Sequence, residues 1–381
     1  MRIAILGCGK IGSTVAADLS HDHDVKVIDT DQSRFTALPY NGITCVAAHI
    51  TPASIPDLIA GADVVVNAVP GYVGFDILEA VVAHSVDVVD VSFAEQDQFT
   101  LKSRAERGGS IAIVDAGVAP GLWNLILGEC ETSMFKVESC TCYVGGLPVQ
   151  RTLPWQYKAG YSLYDVFEMY TRDCRYLQAG HVVTSPAMSE IFDIEFPGVG
   201  TLEAFNTDGL RSLLTTSTTP TVKEYTLRYP GHLVHMKLLR DSGMLDNAPV
   251  GVRDHVTGIM TNVRPIDVTA SRLLKQWTFD RNEEDMTLMR IEVVGYESYH
   301  AGRTKRVYTL HDRARDGVSS MSRTTSYTCT GVINALINNR KSLVGGVYAL
   351  EQMAKCGTFC NEVLEHLAAR DVKFTLNIQA A

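Results

Sequence analysis

The residues best suited to chemistry begin at position 7. Gly7-Cys8-Gly9-Lys10-Ile11-Gly12 is a complete G-x-G-x-x-G. Gly7 permits a tight turn, Gly9 lets a pyrophosphate approach the backbone, and Gly12 lets the following helix pack closely on the strand. A helix opening at Lys10 and Ile11 offers free N–H groups and a positive dipole end to phosphates. Taken alone the spacing is weak, but its surroundings strengthen it. An apolar run, Arg2 to Leu6, precedes it, and helical spacing over Ile11 to Leu19 follows. Asp29 then ends the next apolar run, at the separation of about 20 residues expected of a ribose-binding carboxylate. A carboxylate there accepts hydrogen bonds from the ribose hydroxyls and repels a 2′-phosphate, so the expected cofactor is NAD. Asn67-Ala68-Val69-Pro70, a small-residue turn after another apolar run, is expected along the distal ribose and nicotinamide. Ser92, Ala116 and Gly117 follow later strand ends and join the expected cofactor contacts.

The elements that must position these residues are short apolar runs alternating with helical stretches. Strands are expected at Arg2–Leu6, Val25–Ile28, Ile43–Ala47, Asp63–Ala68, Val86–Val91 and Ile111–Val114, with helices over Ile11–Leu19, Phe75–Ala83 and Leu101–Arg107. Continuous Val/Ile runs, rather than alternating ones, indicate strands covered on both faces, hence a parallel, doubly wound Rossmann sheet with its site at the carboxyl ends of the strands. After about residue 125 the pattern changes. Lys136 to Val144 alternates, and further strands are expected at Ile191–Phe196, Thr201–Phe205, Thr287–Val294 and Lys305–Leu310. Helical spacing covers Leu163–Tyr170, Leu233–Ser242 and Thr269–Gln276, giving an α+β domain on a mixed or antiparallel sheet. The tail is helical over Thr325–Ile337 and Phe359–Ala369, and part of it is expected to fold back on the first domain.

Composition excludes other classes. The 381 residues suit two domains, and 46% hydrophobic with 20% charged residues is globular composition. A net charge of −9 without a basic tract leaves nucleic acid without an electrostatic footprint. No apolar run reaches the roughly 18 residues of a membrane span. Met1 stands one residue before an apolar strand, so a cytoplasmic protein is expected. The nine cysteines carry no zinc-like C-x-x-C pair and are expected to be reduced and mostly buried, with no metal bound.

Six further segments occur in order: Gly71-Tyr72-Val73-Gly74-Phe75, Asp115 to Leu122, Tyr143 to Pro148, Asp208 to Leu213, Tyr225 to His232, and Ser319 to Thr325. Together they resemble the saccharopine dehydrogenase-like family, most closely its lysine 6-dehydrogenase branch, over nearly the full length. The resemblance implies an NAD-binding Rossmann domain over residues 1–125 completed by 325–381. It also implies a substrate-binding and dimerisation domain over 126–324, and a homodimer or higher homo-oligomer. The implied reaction takes a hydride from the ε-carbon of L-lysine to NAD. The imine then hydrolyses with release of ammonia, and the semialdehyde cyclises to piperideine-6-carboxylate. Ala119 stands where saccharopine-acting members are expected to carry Asp, which argues against that substrate. Two alternatives remain: reductive amination of the saccharopine or carboxynorspermidine dehydrogenase type, and a non-catalytic NAD-binding regulatory protein.

Lysine carries a carboxylate, an α-ammonium and a reacting ε-amine, so its site needs three kinds of partner. Its carboxylate suits an arginine fork, and the candidates are Arg172, Arg211, Arg228 and Arg323, with Arg172 and Arg211 favoured. Gly146 and Leu147 are expected beside the substrate. The ε-ammonium must lose a proton before hydride can leave, because the nitrogen lone pair drives that departure. His232 is the first choice of base, since an unperturbed imidazole titrates near neutrality. Asp90, at the carboxyl end of the fifth strand, is the alternative.

Overall fold

In a computed structural model, residues 1–39, 42–280 and 283–381 are described. The first six strands are β1 (Arg2–Leu6), β2 (Asp24–Asp29), β3 (Ile43–Ala47), β4 (Val64–Asn67), β5 (Asp87–Asp90) and β6 (Ile111–Val114). Next come β7 (Lys136–Pro148), β8 (Cys174–Gln178), β9 (His181–Ser185), β10 (Ile191–Phe196), β11 (Gly200–Asn206) and β12 (Thr221–Arg228). A hairpin, β13 (Val250–Arg253) and β14 (Met260–Val263), is followed by β15 (Asp285–Tyr296), β16 (Arg303–Arg313), β17 (Gly346–Ala349) and β18 (Phe374–Ala380).

Two sheets organise the molecule. The first is seven-stranded, in the order β17-β6-β5-β4-β1-β2-β3, and all its pairings are parallel. Every residue of β4 and β6 is buried, as their unbroken apolar sequences require of strands covered on both faces. The strand order reverses between β1 and β4. There the glycine turn after β1 meets the turn after β4, joined by Ala68 N–H donating to the Leu6 carbonyl at 2.9 Å. A doubly wound sheet binds its ligand at that switch point.

The second sheet is nine-stranded and mixed, running β10-β11-β12-β7-β15-β16-β18, with β8 attached to β12 and β9 to β8. Only β12 and β7 pair in parallel within that path; the other neighbours are antiparallel. Side chains alternate across this sheet. Tyr143, Leu147, Tyr225, Leu227 and Leu288 form one apolar face. Cys140, Cys142, Val222, Met289 and Ile291 join the central core on the other.

The chain after residue 325 divides between the sheets. Strand β17 extends the first, whereas β18 pairs with β16 in the second. The tail strand F-T-L-N-I-Q-A forms the sheet edge and is exposed over nearly its whole length, unlike a doubly covered parallel strand. A 20-residue helix, Ser320–Asn339, lies buried between the two halves. No helix among the described residues is long and apolar enough to cross a membrane.

Candidate active site

A cavity of about 920 Å³ opens between the carboxyl ends of the parallel strands and one face of the mixed sheet. Its first wall is mostly backbone and small residues: Gly7, Gly9, Lys10, Ile11, Ala68, Val69, Pro70, Ser92 and Gly117. The glycines there answer to geometry. Gly7 has φ +104°, and a Cβ on it would lie 2.6 Å from the Ala68 oxygen. A Cβ on Gly12 would lie 2.0 Å from the Gly7 oxygen, so Gly12 serves packing and does not itself line the cavity. A Cβ on Gly9 would meet only an arginine nitrogen at 3.9 Å, leaving its backbone open to an approaching group. The helix Lys10–Leu19 begins there without a side-chain cap, with its first amide groups free. These features fit a dinucleotide pyrophosphate.

Asp29 is buried at the end of β2. Its carboxylate accepts from Cys8 N–H at 2.7 Å and Asp31 N–H at 2.9 Å. Arg34, half exposed, reaches Asp29 at 3.4 Å and Asp31 at 3.6 Å. The ribose end of the cavity therefore carries two carboxylates and one cation.

Asn67 and Ala116, expected at the cofactor, are completely buried and lie behind the lining. Asn67 donates from Nδ2 to the Asp90 carboxylate at 2.8 Å and to the Gly74 carbonyl at 3.0 Å. Asp90 is likewise set back from the cavity. Its Oδ1 also accepts from Ser92 N–H at 3.1 Å and Ser92 Oγ at 2.8 Å. Burial, with Asp115 nearby, pushes its carboxyl up to about 7. The geometry makes Asp90 an anchor for the turns after β4 and β5 rather than a base in contact with substrate.

The second wall comes from the mixed sheet and a helix packed on it. Register places Glu224 opposite Cys142, and Thr226 opposite Val144. Val144 lies opposite Met289, and Gly146 opposite Thr287. Glu224, Thr226, Arg228, Val144, Gly146 and Thr287 thus share one face and all line the cavity. Leu147 points the other way, into the opposite core, so it is corrected from a substrate contact to a packing residue. From the helix Leu163–Thr171, Asp165, Glu168 and Met169 face the cavity, with Arg172 continuing the stripe at helical spacing.

The four arginine candidates separate cleanly. Arg211 contacts no cavity space: it pairs bidentately with Asp115 at 3.2 Å, donates to the Ala94 carbonyl at 2.6 Å, and stacks on Phe93. Its charge is spent joining the two halves. Arg323 is held the same way by Asp312. Arg172 lines the cavity but is paired with Glu168 at 3.0 Å. Arg228, 2% exposed, makes no salt bridge among the described residues. It packs 4.4 Å from the Tyr157 ring centroid, donates from Nε to Tyr170 Oη at 3.0 Å, and leaves Nη2 without a partner.

His232 is corrected as well. It is completely buried at the start of a helix and does not line the cavity. Its Nδ1 lies 2.8 Å from the Trp155 carbonyl, which can only accept, so Nδ1 carries the proton. Nε2, 2.9 Å from Tyr170 Oη, then accepts. Burial and the Arg228 charge push the imidazole down to about 3. The ring is a neutral strut that orients Tyr170 and, through it, Arg228.

Two acidic groups escaped the sequence reading. Glu224 is 7% exposed; its Oε1 accepts from Thr207 at 3.2 Å, and its Oε2 has no partner. Burial, with Asp208 beside it, pushes the carboxyl up to about 7. Asp165 is raised to about 6 by burial and by Glu168. The available signal for Glu224 was its place as the single acid in T-V-K-E-Y-T-L-R, directly before the Tyr225–His232 segment.

A dinucleotide-type cleft thus faces a charged wall formed by the mixed sheet and its helix. Residues 3–113 match the saccharopine dehydrogenase NADP binding domain and residues 117–372 the saccharopine dehydrogenase C-terminal domain. The chain belongs to the saccharopine dehydrogenase family. It is similar to the mitochondrial alpha-aminoadipic semialdehyde synthase of Bos taurus, 25% identical over 251 residues that make up 61% of this chain and 27% of the relative. The chain thus spans about a quarter of that curated relative. The fold matches apo saccharopine dehydrogenase (L-Glu forming) of Saccharomyces cerevisiae with TM-score 0.79 and 18% identity, covering 100% of both chains. It also matches the homospermidine synthase of Legionella pneumophila, in complex with NAD, with TM-score 0.67 and 11% identity, covering 100% of this chain and 91% of the other.

Proposed function

We propose that the protein oxidatively deaminates an amino acid bearing a terminal amine, with L-lysine attacked at its ε-carbon, and uses NAD. The observation that carries this reading is the pairing of two unsatisfied, opposite charges on one strand face: Glu224 Oε2 and Arg228 Nη2. A buried charged atom without a partner is costly unless a ligand supplies one. A substrate with an ammonium at one end and a carboxylate at the other satisfies both. When bound, the nicotinamide supplies a hydride acceptor at the amine-bearing carbon.

The chain's own part is to bind and orient. Gly7, Gly9 and the helix opening at Lys10 would hold the pyrophosphate, and Asp29 the ribose. Ala68 to Pro70, Ser92 and Gly117 would flank the nicotinamide side. Arg228, steadied by Tyr170 and His232, would fix the substrate carboxylate. The resulting imine hydrolyses to the semialdehyde and ammonia, and the semialdehyde closes to piperideine-6-carboxylate.

The rival is reductive amination of the saccharopine or carboxynorspermidine dehydrogenase type, supported by the family match. NADH formation at 340 nm over a panel of lysine, ornithine, saccharopine and simple diamines separates the two. Lysine and NAD alone should suffice. A signal seen only with saccharopine, or only in reverse with a carbonyl and an amine together, would replace the proposal with the rival. Binding of NAD with no turnover of any panel member would favour a regulatory role.

A further inference from the structure

We propose that the Glu224 carboxylate accepts the proton of the substrate's reacting ammonium, and so is the catalytic base of this site. The inference rests on the amine-oxidation reading above and names the group that reading leaves open.

Four observations converge on this residue. Glu224 projects from β12 onto the cavity face, two residues before Thr226 and four before Arg228. Its Oε1 is fixed by Thr207, which also bonds Thr226 at 3.0 Å, while Oε2 is buried beside Gly209 with no hydrogen-bond partner among the described residues. Gly209 makes the placement possible: a Cβ there would lie 1.8 Å from Oε2. Of the other acids, three are spoken for, and Asp165, which also faces the cavity, is the one left to test against it. Asp208 is held bidentately by Arg175 at 2.7 and 3.0 Å, Glu168 by Arg172, and Asp90 sits behind the lining. His232 has both ring nitrogens bonded and a depressed affinity for protons.

The chemistry balances. The ammonium R–CH2–NH3+ gives one proton to the carboxylate, leaving R–CH2–NH2 and a neutral Glu224. The C–H bonding pair departs as hydride to the oxidised nicotinamide, and the nitrogen lone pair closes the C=N bond, giving R–CH=NH2+. Glu224 then releases its proton to water. Nothing beyond substrate, NAD and water is consumed.

The carboxyl's surroundings suit the task. Asp208 faces it from the turn after β11, Cys142 and Cys174 from the neighbouring strands, and Tyr161 from across the cavity, with Arg228 further along its own strand. Burial and Asp208 raise it to about 7, so it is part ionised near neutrality. A docked ammonium favours the ionised form.

The test compares wild type with Glu224→Gln, Glu224→Asp and Asp165→Asn. Wild-type kcat/KM for lysine should fall below about pH 7 as the base protonates. Glu224→Gln should lower kcat by about 10²–10⁴-fold and lose that acid limb. Glu224→Asp should keep the limb at reduced kcat, and it serves alone if the Gln variant does not fold. Asp165→Asn should keep the acid limb, whatever it does to kcat through the cavity wall. An unaltered acid limb in Glu224→Gln, with kcat within threefold of wild type, overturns the proposal, as does loss of the limb in Asp165→Asn alone. Calorimetry without cofactor gives an independent reading. Wild type should prefer lysine to its ε-hydroxy analogue, and Glu224→Gln should erase that preference. If wild type oxidises no amine, the functional reading fails. Retained preference in the Gln variant overturns the Glu224 assignment whatever the reaction proves to be.

Discussion

Arg211 and Arg228 are both buried, yet they do opposite things with their charge. Arg211 faces Asp115 across a bidentate pair, takes the Ala94 carbonyl as a third partner, and stacks on Phe93. Arg228 has three aromatic rings, a tyrosine hydroxyl and a backbone carbonyl around it, but no paired carboxylate among the described residues. A guanidinium with its counter-ion built in closes a gap between domains. One desolvated without a counter-ion is held ready for an anion from outside. Proximity to a recognisable segment does not tell the two apart; the inventory of partners does.

The largest effect should come from breaking the strut. Arg211→Met leaves Asp115 buried and unpaired, and should cost about 3–5 kcal/mol of stability by denaturant unfolding. Adding Asp115→Asn should recover much of it. A loss under about 1 kcal/mol would mean Arg211 is not the strut described. The next effect tests the free arginine. Arg228→Lys keeps the charge but not the fork, and should lower kcat/KM for lysine by about 10²-fold, the loss expected for hydrogen bonds to a charged group worth roughly 1.5–3 kcal/mol. A diamine of the same length without a carboxylate should be nearly indifferent to that change. Equal losses on both substrates would remove Arg228 from carboxylate binding.

His232 sharpens the contrast at smaller scale. His232→Gln should lower kcat/KM about tenfold by loosening Tyr170 and Arg228, and leave the pH of the acid limb where it was. Stability should respond separately. The imidazole titrates near 6.5 unfolded and about 3 folded. Between those values the unfolded chain binds more protons, so stability rises with pH and the penalty is gone above the unfolded value. Removing the ring should therefore flatten the stability profile over pH 3 to 6.5. A variant that instead moves the kinetic acid limb would return His232 to the role of base.

The same contrast explains what could be read from the chain alone. The cofactor wall is local: a strand, a glycine turn, a helix start and Asp29 lie within 29 residues, and each is set by backbone geometry that only certain residues allow. The mixed sheet was legible as a strand where apolar and polar residues alternate, as over Lys136–Val144 in β7. Strand β12 was not, because its two faces are both buried, one in the core and one in the cavity, and the alternation vanishes. Glu224 and the free atom of Arg228 sit on that strand. Their partners, Thr207, Tyr170 and Tyr157, come from other elements. The ranking of arginines failed for the same reason, since Asp115 meets Arg211 across 96 residues of sequence.

The smallest effect concerns the cofactor's ribose. Asp29 and Asp31 present two carboxylates, with Arg34 between them. Asp29 also accepts from Cys8 and Asp31 N–H groups, so its carboxylate helps fix the turn as well as the ligand. Asp29→Ser keeps one acceptor and removes the charge that opposes a 2′-phosphate, while Arg34, half exposed, becomes free to pair with it. The ratio of kcat/KM with NADP to that with NAD should rise about tenfold, equivalent to about 1.4 kcal/mol. Adding Arg34→Ala should take back most of that gain without weakening NAD. An unchanged ratio in Asp29→Ser, or a wild-type protein that already prefers NADP, would shift the discrimination from the carboxylate to Arg34. Charge at this end would then be read the way it is at Arg228, as a cation held for an arriving anion.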